Sequence, residues 1–290
     1  MLKPRVAIMG LGIMGTGMAG RVLATGFPLA VYNRHREKAE PFGRRGAFVA
    51  STPREAAARA DVIISMLADD EASREVWLGE NGALAGAAPG TVLVASSTLS
   101  VGWVCELAAA AKERGCQLLD APVTGTKPHA ARGELLFLVG GPAEALAIAR
   151  PVLTVMSRDI VHVGATGSGA LLKLVNNFLC GVQAASLAEA SALIDAGGIN
   201  RDKALSVLTN GAPGSPLIKT LVTRAATRDL DPTFVLRLMA KDIRYAQAEA
   251  AHHGLKLRTA ASAEAVFEDA IASGLGEKDF AAIVGSVRPA

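Results

Sequence analysis

The amino-acid sequence predicts an α/β protein in three parts: an N-terminal doubly wound parallel sheet, a long interdomain helix and a C-terminal all-α domain. In the first half, short β-branched runs alternate with Ala-rich stretches that have the length of crossover helices. One long helical stretch follows, and no convincing strand pattern comes after it. Because 290 residues exceed the usual size of one domain, we predict two, over residues 1–166 and 167–290.

The predicted strands are apolar at successive positions, as strands covered on both faces must be. The clearest strand patterns cover residues 5–9, 29–32, 61–66 and 91–95, and three further candidates cover 117–120, 135–139 and 160–163. Gly, Pro or Asp residues separate the predicted C-terminal helices, which cover residues 201–208, 215–227, 233–252 and 262–273.

The long helical stretch runs from Gly169 to about Asp195, and Gly197 and Gly198 are its stop signal. It is more than twice the average helix length of roughly 11–12 residues. Its apolar positions cover most of the circumference. We therefore expect a buried spine between the two domains.

Composition and charge exclude several classes of function. The net charge is only +3 and the basic residues are scattered, so a nucleic-acid partner is not expected. Cys105, Cys116 and Cys180 are odd in number and have no CxxC spacing, which predicts neither a disulfide framework nor a zinc site and fits a reducing cytoplasm. His252 and His253 are adjacent and cannot share a helix face, so no metal site is predicted.

The N-terminal run could be misread as a signal peptide, because Lys3 and Arg5 precede an apolar stretch. Four glycines within eight residues, from Gly10 to Gly17, would weaken such a helix and suit a tight turn instead. We expect no other run to reach membrane-spanning length, and we predict no membrane partner.

A glycine-rich turn follows the first predicted strand and opens a predicted helix from Met14 to Ala24. Its six residues are Gly10, Leu11, Gly12, Ile13, Met14 and Gly15. In such a motif the first glycine allows the turn, the second lets the backbone approach a pyrophosphate, and the third permits close packing of helix on strand. The helix N-terminus then stabilises the phosphate charge. This context predicts a Rossmann domain whose six turn residues bind a dinucleotide.

The end of the second predicted strand indicates which dinucleotide binds. An NAD site would place Asp or Glu there to bond the ribose hydroxyls. This chain has Asn33 and Arg34 instead, with Arg36 shortly after. A guanidinium suits a 2′-phosphate, so NADPH is favoured over NADH, with Asn33 and Arg34 as cofactor-binding residues. The alternative is that the arginines only solvate a loop.

A lysine and an asparagine lie four residues apart on the long predicted helix and therefore share a face. Lys173 is a cation among apolar neighbours, which calls for a partner or a purpose. A lysine whose ammonium reaches out to solvent is the structural alternative. Lys173 and Asn177 by themselves leave the two interpretations even.

Four segments together resemble the β-hydroxyacid dehydrogenase family, in the expected order and over almost the whole chain. They are the glycine turn with its extension to Ala19, the run Asp120-Ala-Pro-Val-Thr-Gly125, the Gly-x-Gly-x-x-x-Lys-x-x-Asn-Asn run over 167–177, and Lys241-Asp242. This family includes 3-hydroxyisobutyrate dehydrogenase, tartronate semialdehyde reductase and glyoxylate/succinic semialdehyde reductase. The resemblance implies a small hydroxyacid or semialdehyde substrate and an active site in the cleft between the domains.

The resemblance also implies roles for individual residues. Lys173 corresponds to the catalytic lysine and Asn177 to the asparagine that orients lysine and substrate. Thr124, Gly125 and Thr126 correspond to the loop that holds the substrate carboxylate. Reduction of an aldehyde by hydride creates an alkoxide, which the Lys173 ammonium could protonate.

Further matches border the cofactor and the closed site. Met66 and Leu67 match the loop that lines the cofactor, and Thr98 matches a threonine beside the nicotinamide. Lys241 matches a lysine near the cofactor, while Phe234 and Asp242 match residues that border the closed site, Phe234 on the substrate side.

Two departures from the family pattern leave the substrate open. Where many members have Ser-Gly-Gly, this chain continues from Thr124 and Gly125 into Lys127-Pro128, as in the glyoxylate/succinic semialdehyde reductase branch. Ala95 stands where the family's Asp-x-Ser-Thr element begins, so a carboxylate is absent.

The sequence argues against three alternative functions. Lys173 argues against an imine reductase, and the short C-terminal domain argues against a 6-phosphogluconate dehydrogenase. Lys173 with Asn177 also argues against a non-catalytic NADPH-binding module. The short, apolar C-terminal segment predicts a homodimer or homotetramer.

Overall fold

A computed structural model describes residues 3–287 and divides the chain into two compact units. The first unit ends at Lys173 and the second begins at Leu174. We predicted the boundary between residues 166 and 167, just before the long helix, whereas the observed division lies inside that helix. The reason is that the first turn of the helix packs on the sheet, since Ala170 belongs to a core cluster of the first unit.

The first unit contains one nine-stranded sheet. Its strands are β1 (Val6–Met9), β2 (Leu29–Tyr32), β3 (Phe48–Val49), β4 (Val62–Ser65), β5 (Val92–Ala95), β6 (Gln117–Asp120), β7 (Val123–Thr124), β8 (Leu135–Gly140) and β9 (Ser157–Gly164). The order is β3-β2-β1-β4-β5-β6-β8-β7, and β9 pairs with β8. Strands β2 and β3 lie on one side of β1 and strands β4 to β6 on the other, which is the doubly wound arrangement that the sequence predicted.

The strands pair in parallel from β3 across to β6, while β8 runs antiparallel to β6 and β7. The strand candidates at 135–139 and 160–163 extend the sheet as the sequence predicted, but β8 and its parallel neighbour β9 run opposite to the strands from β1 to β6. Two strands, β3 and β7, were not predicted, because two residues are too few to show a periodicity.

Eight helices belong wholly to the described part of the first unit. They are α1 (Ile13–Ala24), α2 (Glu40–Gly43), α3 (Pro53–Ala57), α4 (Asp70–Leu78), α5 (Ala83–Gly86), α6 (Val101–Glu113), α7 (Lys127–Arg132) and α8 (Ala143–Thr154). They cover both faces of the sheet, so successive residues of a strand enter different cores: Val6 and Ile8 lie in one cluster, and Ala7 and Met9 in the other.

The long helix α9 covers Ser168–Ala196 and was predicted within a residue at each end. The sequence analysis expected this helix to be buried and expected no further run of membrane-spanning length, and both expectations were wrong. Its most apolar 18-residue window has a mean hydropathy of 1.2, so by length and composition it could cross a membrane, although a core helix passes the same test. Only 39% of that window is buried, and Leu171, Leu172, Val175 and Leu179 are 37–53% exposed.

In the described residues of the second unit the regular elements are helices, and one isolated β-bridge joins Val235 to Asp279. After α9 come α10 (Arg201–Asn210), α11 (Pro216–Ala226), α12 (Leu236–His252) and α13 (Arg258–Ala270). A single core joins the C-terminal half of α9 to these helices, with Leu187, Leu221, Leu236, Ile243 and Phe267 among its buried members. The predicted all-α character of the C-terminal part is confirmed.

Candidate active site

The glycine turn joins β1 to α1 at the carboxyl edge of the sheet. Gly10 has φ +92°, and a Cβ there would lie 2.2 Å from the Met66 carbonyl oxygen. A Cβ at Gly15 would lie 1.9 Å from the Gly10 carbonyl oxygen, so no side chain fits at either position. A Cβ at Gly12 would meet no atom within 4 Å, so this glycine leaves open space at the start of α1. The three glycines thus have the three properties that a pyrophosphate site needs.

The side chain of Asn33 locks the glycine turn to the end of β2. Its Oδ1 accepts the Leu11 N–H at 2.8 Å, and its Nδ2 donates to the His35 carbonyl at 3.0 Å. Arg34 is exposed beside it, and the exposed Arg36 donates to Ser51 Oγ at 3.4 Å. Asn33 therefore shapes the site in this structure, while Arg34 presents a cation at the surface.

The loops after β4 and β5 are joined by a hydrogen bond that the sequence did not predict. Ser97 Oγ accepts the Leu67 N–H at 2.7 Å, and the Met66 N–H donates to the Met9 carbonyl at 2.9 Å. These bonds hold Met66 and Leu67 beside the glycine turn. A serine after a buried strand was the only signal for Ser97, and it is common in loops.

Asp120 is a buried carboxylate, 0% exposed, at the end of β6. Its two carboxylate oxygens accept the Gly167 N–H at 2.9 Å and the Ala170 N–H at 2.8 Å, so it caps α9 from another element. Burial raises its pKa above the ordinary value of 3.8, although the backbone N–H groups oppose that shift. Asp120 therefore fixes the start of the helix that carries Lys173.

The predicted substrate loop leads from β7 into α7. Gly125 has φ +127°, a conformation that only glycine adopts readily. Next to it, Thr126 is the N-cap of α7 and forms a capping box with His129. Helix α7 lies against α1, because a Cβ at Gly17 would be 2.8 Å from the Ala131 nitrogen. Thr124 is half-buried at the end of β7.

Lys173 is half-buried and lies one turn before Asn177 on α9. In the second unit, Asn177 is 4% exposed, and its Nδ2 donates to Asp242 Oδ2 at 2.5 Å. Its Oδ1 accepts from Asn176 Nδ2 at 2.9 Å. The amide of Asn177 is therefore fixed in one orientation.

Asp242 and Lys241 form a buried ion pair next to Asn177. Lys241 Nζ lies 3.0 Å from Asp242 Oδ1, and the two residues are 8% and 1% exposed. The Lys241 ammonium also lies 4.8 Å from the ring centroid of Tyr245. The sequence placed both residues at the site but did not predict that Asp242 would join Lys241 to Asn177.

Phe234 lies at the edge of the second unit's core. Its ring makes an edge-to-face contact with Phe280, with centroids 5.9 Å apart. Its N–H donates to the buried Asp279 at 3.2 Å. Within residues 3–287, no cluster of three or more His, Cys, Asp or Glu side chains could hold a metal ion.

Comparison with known proteins matches both parts of the chain to protein families. Residues 5–164 match the NAD binding domain of 6-phosphogluconate dehydrogenase, and residues 167–287 match the domain described as NAD-binding of NADP-dependent 3-hydroxyisobutyrate dehydrogenase. The two matches meet at the start of α9 and cover nearly the whole chain.

Individual relatives align over nearly the whole of this chain. The NAD-dependent L-serine dehydrogenase of Pseudomonas aeruginosa is 35% identical over 96% of each chain. The chloroplastic glyoxylate/succinic semialdehyde reductase 2 of Arabidopsis thaliana is 32% identical over 98% of this chain and 80% of the plant protein. A solved 3-hydroxyisobutyrate dehydrogenase of Mycobacterium tuberculosis with L-serine has a TM-score of 0.89 and 32% identity, covering 99% of this chain and all of that one. The chain therefore belongs to the β-hydroxyacid dehydrogenase family, a family of NAD(P)-dependent oxidoreductases.

Proposed function

We propose that this protein is an NADPH-dependent oxidoreductase that interconverts a small hydroxyacid and its semialdehyde or keto acid, with Lys173 as the acid and base. The observation that carries the proposal is the half-buried Lys173 one turn before Asn177, whose amide is held by the buried Asp242. A fixed amide beside a lysine suits proton transfer, which requires the donor and acceptor in a constant geometry.

Different residues bind the cofactor and the substrate. The N-H groups at the start of α1 and the open space at Gly12 receive the pyrophosphate. Thr124 and the Gly125 N–H hold the substrate carboxylate. The bound nicotinamide supplies or accepts the hydride at the carbon that is reduced or oxidised.

In this proposal Lys173 transfers the proton, and Asn177 lies one turn further along the same helix. In the reducing direction the Lys173 ammonium donates its proton to the oxygen that gains charge, and in the oxidising direction the neutral amine takes the proton back. The Asn177 amide donates to Asp242, so its carbonyl oxygen turns the other way. That oxygen accepts from Asn176 and, because it has two lone pairs, can accept from a second donor.

The test is NADPH oxidation with a panel of glyoxylate, succinic semialdehyde, tartronate semialdehyde and methylmalonate semialdehyde. We expect Lys173→Ala to lower kcat by about 10²- to 10⁴-fold, because it removes the proton donor, while NADPH binding, measured by fluorescence titration, stays nearly unchanged. A wild-type protein that reduces none of the four would overturn the semialdehyde reductase assignment. Loss of NADPH binding in the variant would assign Lys173 a structural role.

The preference for NADPH rests on the exposed cation at Arg34 and the absence of Asp or Glu at the end of β2. The P. aeruginosa relative is described as NAD-dependent, so the preference needs its own test. We expect Arg34→Asp to shift the ratio of kcat/KM for NADPH over NADH by about tenfold or more towards NADH, the size of a lost charge-assisted contact. Lys38→Asp is the matched control, since it changes the same charge nearby. An unchanged ratio in Arg34→Asp would contradict the assignment.

We also propose that the protein is a homo-oligomer. The supporting observation is the exposed apolar face of α9, formed by Leu171, Leu172, Val175 and Leu179. Light scattering after size-exclusion chromatography gives the mass directly, and a mass of one chain at micromolar concentration would contradict the proposal.

A further inference from the structure

The substrate loop leads into a helix that carries a histidine, His129, which has no part in the proposed function. His129 is the third residue of α7 and lies partly buried below the loop. Its Nδ1 lies 3.2 Å from the Thr126 nitrogen and 2.9 Å from Thr126 Oγ1. Because a backbone N–H can only donate, Nδ1 must be the unprotonated ring nitrogen, and the Thr126 hydroxyl then donates to it as well.

Thr126 also accepts a hydrogen bond from His129. Its hydroxyl oxygen accepts the backbone N–H of His129, which is the second half of the capping box. Both hydrogen-bond donors of Thr126 therefore point at His129. A carboxylate needs donors, so within the loop Thr124 and Gly125 are left to supply them.

The His129 side chain also fills the space beneath Gly125. A Cβ at Gly125 would lie 3.2 Å from His129 Cβ and 3.0 Å from Leu135 Cδ2. The positive φ of Gly125 aims its peptide as no other residue readily could. One side chain thus contacts Gly125 by packing and holds Thr126 by hydrogen bonds.

We infer that His129 is a positioning residue for substrate binding, acting through Thr126 and Gly125 to fix the loop that receives the substrate carboxylate. This inference rests on the proposed function, because that proposal makes the loop the carboxylate site. The physical reason is preorganisation: a loop already held in its binding conformation loses less conformational entropy when the substrate binds.

A glutamine at position 129 tests whether the hydrogen bond between His129 and Thr126 is what positions the loop. Glutamine is a common third residue of a capping box, since its side-chain oxygen can accept the N-cap N–H. His129→Ala removes the acceptor, whereas His129→Gln retains one. His162→Ala is the matched control, because His162 is likewise a histidine whose ring nitrogen contacts a backbone group, in this case the Gly141 carbonyl at 2.8 Å from Nε2, outside the loop.

The kinetic experiment measures kcat and KM for the best aldehyde of the panel in the full-length chain. We expect His129→Ala to raise the KM for the aldehyde about tenfold, the usual scale for a lost helix cap. We expect kcat and the dissociation constant for NADPH to change less than about twofold, which is within the effect of a remote surface change. His129→Gln should restore most of the KM, and His162→Ala should leave it unchanged. A wild-type KM in His129→Ala, or a His129→Gln variant as impaired as the alanine variant, would overturn the inference.

Amide hydrogen exchange over residues 124–127 provides a readout that needs no substrate. We expect faster exchange in His129→Ala and near wild-type exchange in His129→Gln. Unchanged exchange in the alanine variant would overturn the inference even for a protein that turns over none of the panel. Conversely, absence of turnover in the wild-type protein would refute the proposed function and leave the exchange result standing. Where His129→Ala fails to fold, His129→Asn replaces it, because the asparagine side chain retains polarity but is too short to reproduce both contacts.

Discussion

Two buried carboxylates hold α9, and they are compensated in different ways. Asp120 accepts only backbone N–H groups, those of Gly167 and Ala170, at the first turn of the helix. Asp242 has a full positive charge beside it, the Lys241 ammonium, and accepts an amide hydrogen of Asn177. The start of the helix is therefore held by dipoles, whereas the segment around Asn177 is held by an ion pair.

This difference predicts how the stability of the protein responds when Asp120 or Asp242 is mutated or when the pH changes. A carboxylate compensated only by N–H dipoles retains a desolvation cost, and this cost raises the pKa of Asp120. A carboxylate paired with an ammonium depends on its partner, since removal of either member leaves a buried charge. Mutation should therefore be most costly at Asp242, and pH should be most informative at Asp120.

The larger effect is expected at the ion pair. Asp242→Asn keeps the size of the side chain but removes the carboxylate beside the Lys241 ammonium, which is only 8% exposed. We expect the free energy of unfolding at pH 7 to fall by about 3 kcal/mol, as for other broken buried pairs. Urea unfolding followed by circular dichroism measures it.

The double variant Lys241→Met/Asp242→Asn sharpens the comparison. It removes both charges, so we expect it to recover most of the loss, because replacing a complete buried pair is often nearly neutral. Asp61→Asn is the control, since Asp61 pairs with Arg5 at the surface at 2.7 Å. Exposed pairs contribute roughly 0–1 kcal/mol. A loss in Asp242→Asn no greater than that in Asp61→Asn would contradict the ion-pair description.

The glycine turn and the contact between Asn177 and Asp242 differ in how far the sequence could predict them. The glycine turn and its strand lie within ten residues, so a local motif predicted Gly10, Gly12 and Gly15 with their separate steric roles. Asn177 and Asp242 lie 65 residues apart, and only the resemblance placed both at the site. Their hydrogen bond depends on the packing of α12 against α9, which no local pattern encodes.

Other differences have local physical causes. The reversed direction of β8 follows from tertiary pairing, because strand periodicity carries no direction. Asn33 carries the polar side chain expected of a cofactor residue, but its amide is used within the protein, by Leu11 and His35. The exposed Leu179 belongs to a helix whose pattern is apolar on most sides, and such a pattern does not say which side is covered.

The smaller effect is expected from Asp120, and it is seen in the pH dependence of stability. Because its pKa in the folded chain is raised above 3.8, the folded state binds more protons than the unfolded state between these two values. The stability of the wild type relative to Asp120→Asn should therefore fall as the pH rises from about 4 through the folded-state pKa. The slope is at most about 1.4 kcal/mol per pH unit, because one proton is involved.

The contribution of Asp61 to stability changes with pH in the opposite direction, so Asp61 is the reference for the measurement. The hydrogen bond from Arg5 lowers the pKa of Asp61, so its stabilising contribution is present above about pH 4 and is lost as the pH falls through the lowered value. Urea unfolding of the wild type, Asp120→Asn and Asp61→Asn between pH 3.5 and 7.5 should give difference curves of opposite slope. Parallel curves would mean that the backbone N–H groups compensate Asp120 as fully as a guanidinium compensates Asp61, and the description of Asp120 as a carboxylate that retains a desolvation cost would then fail.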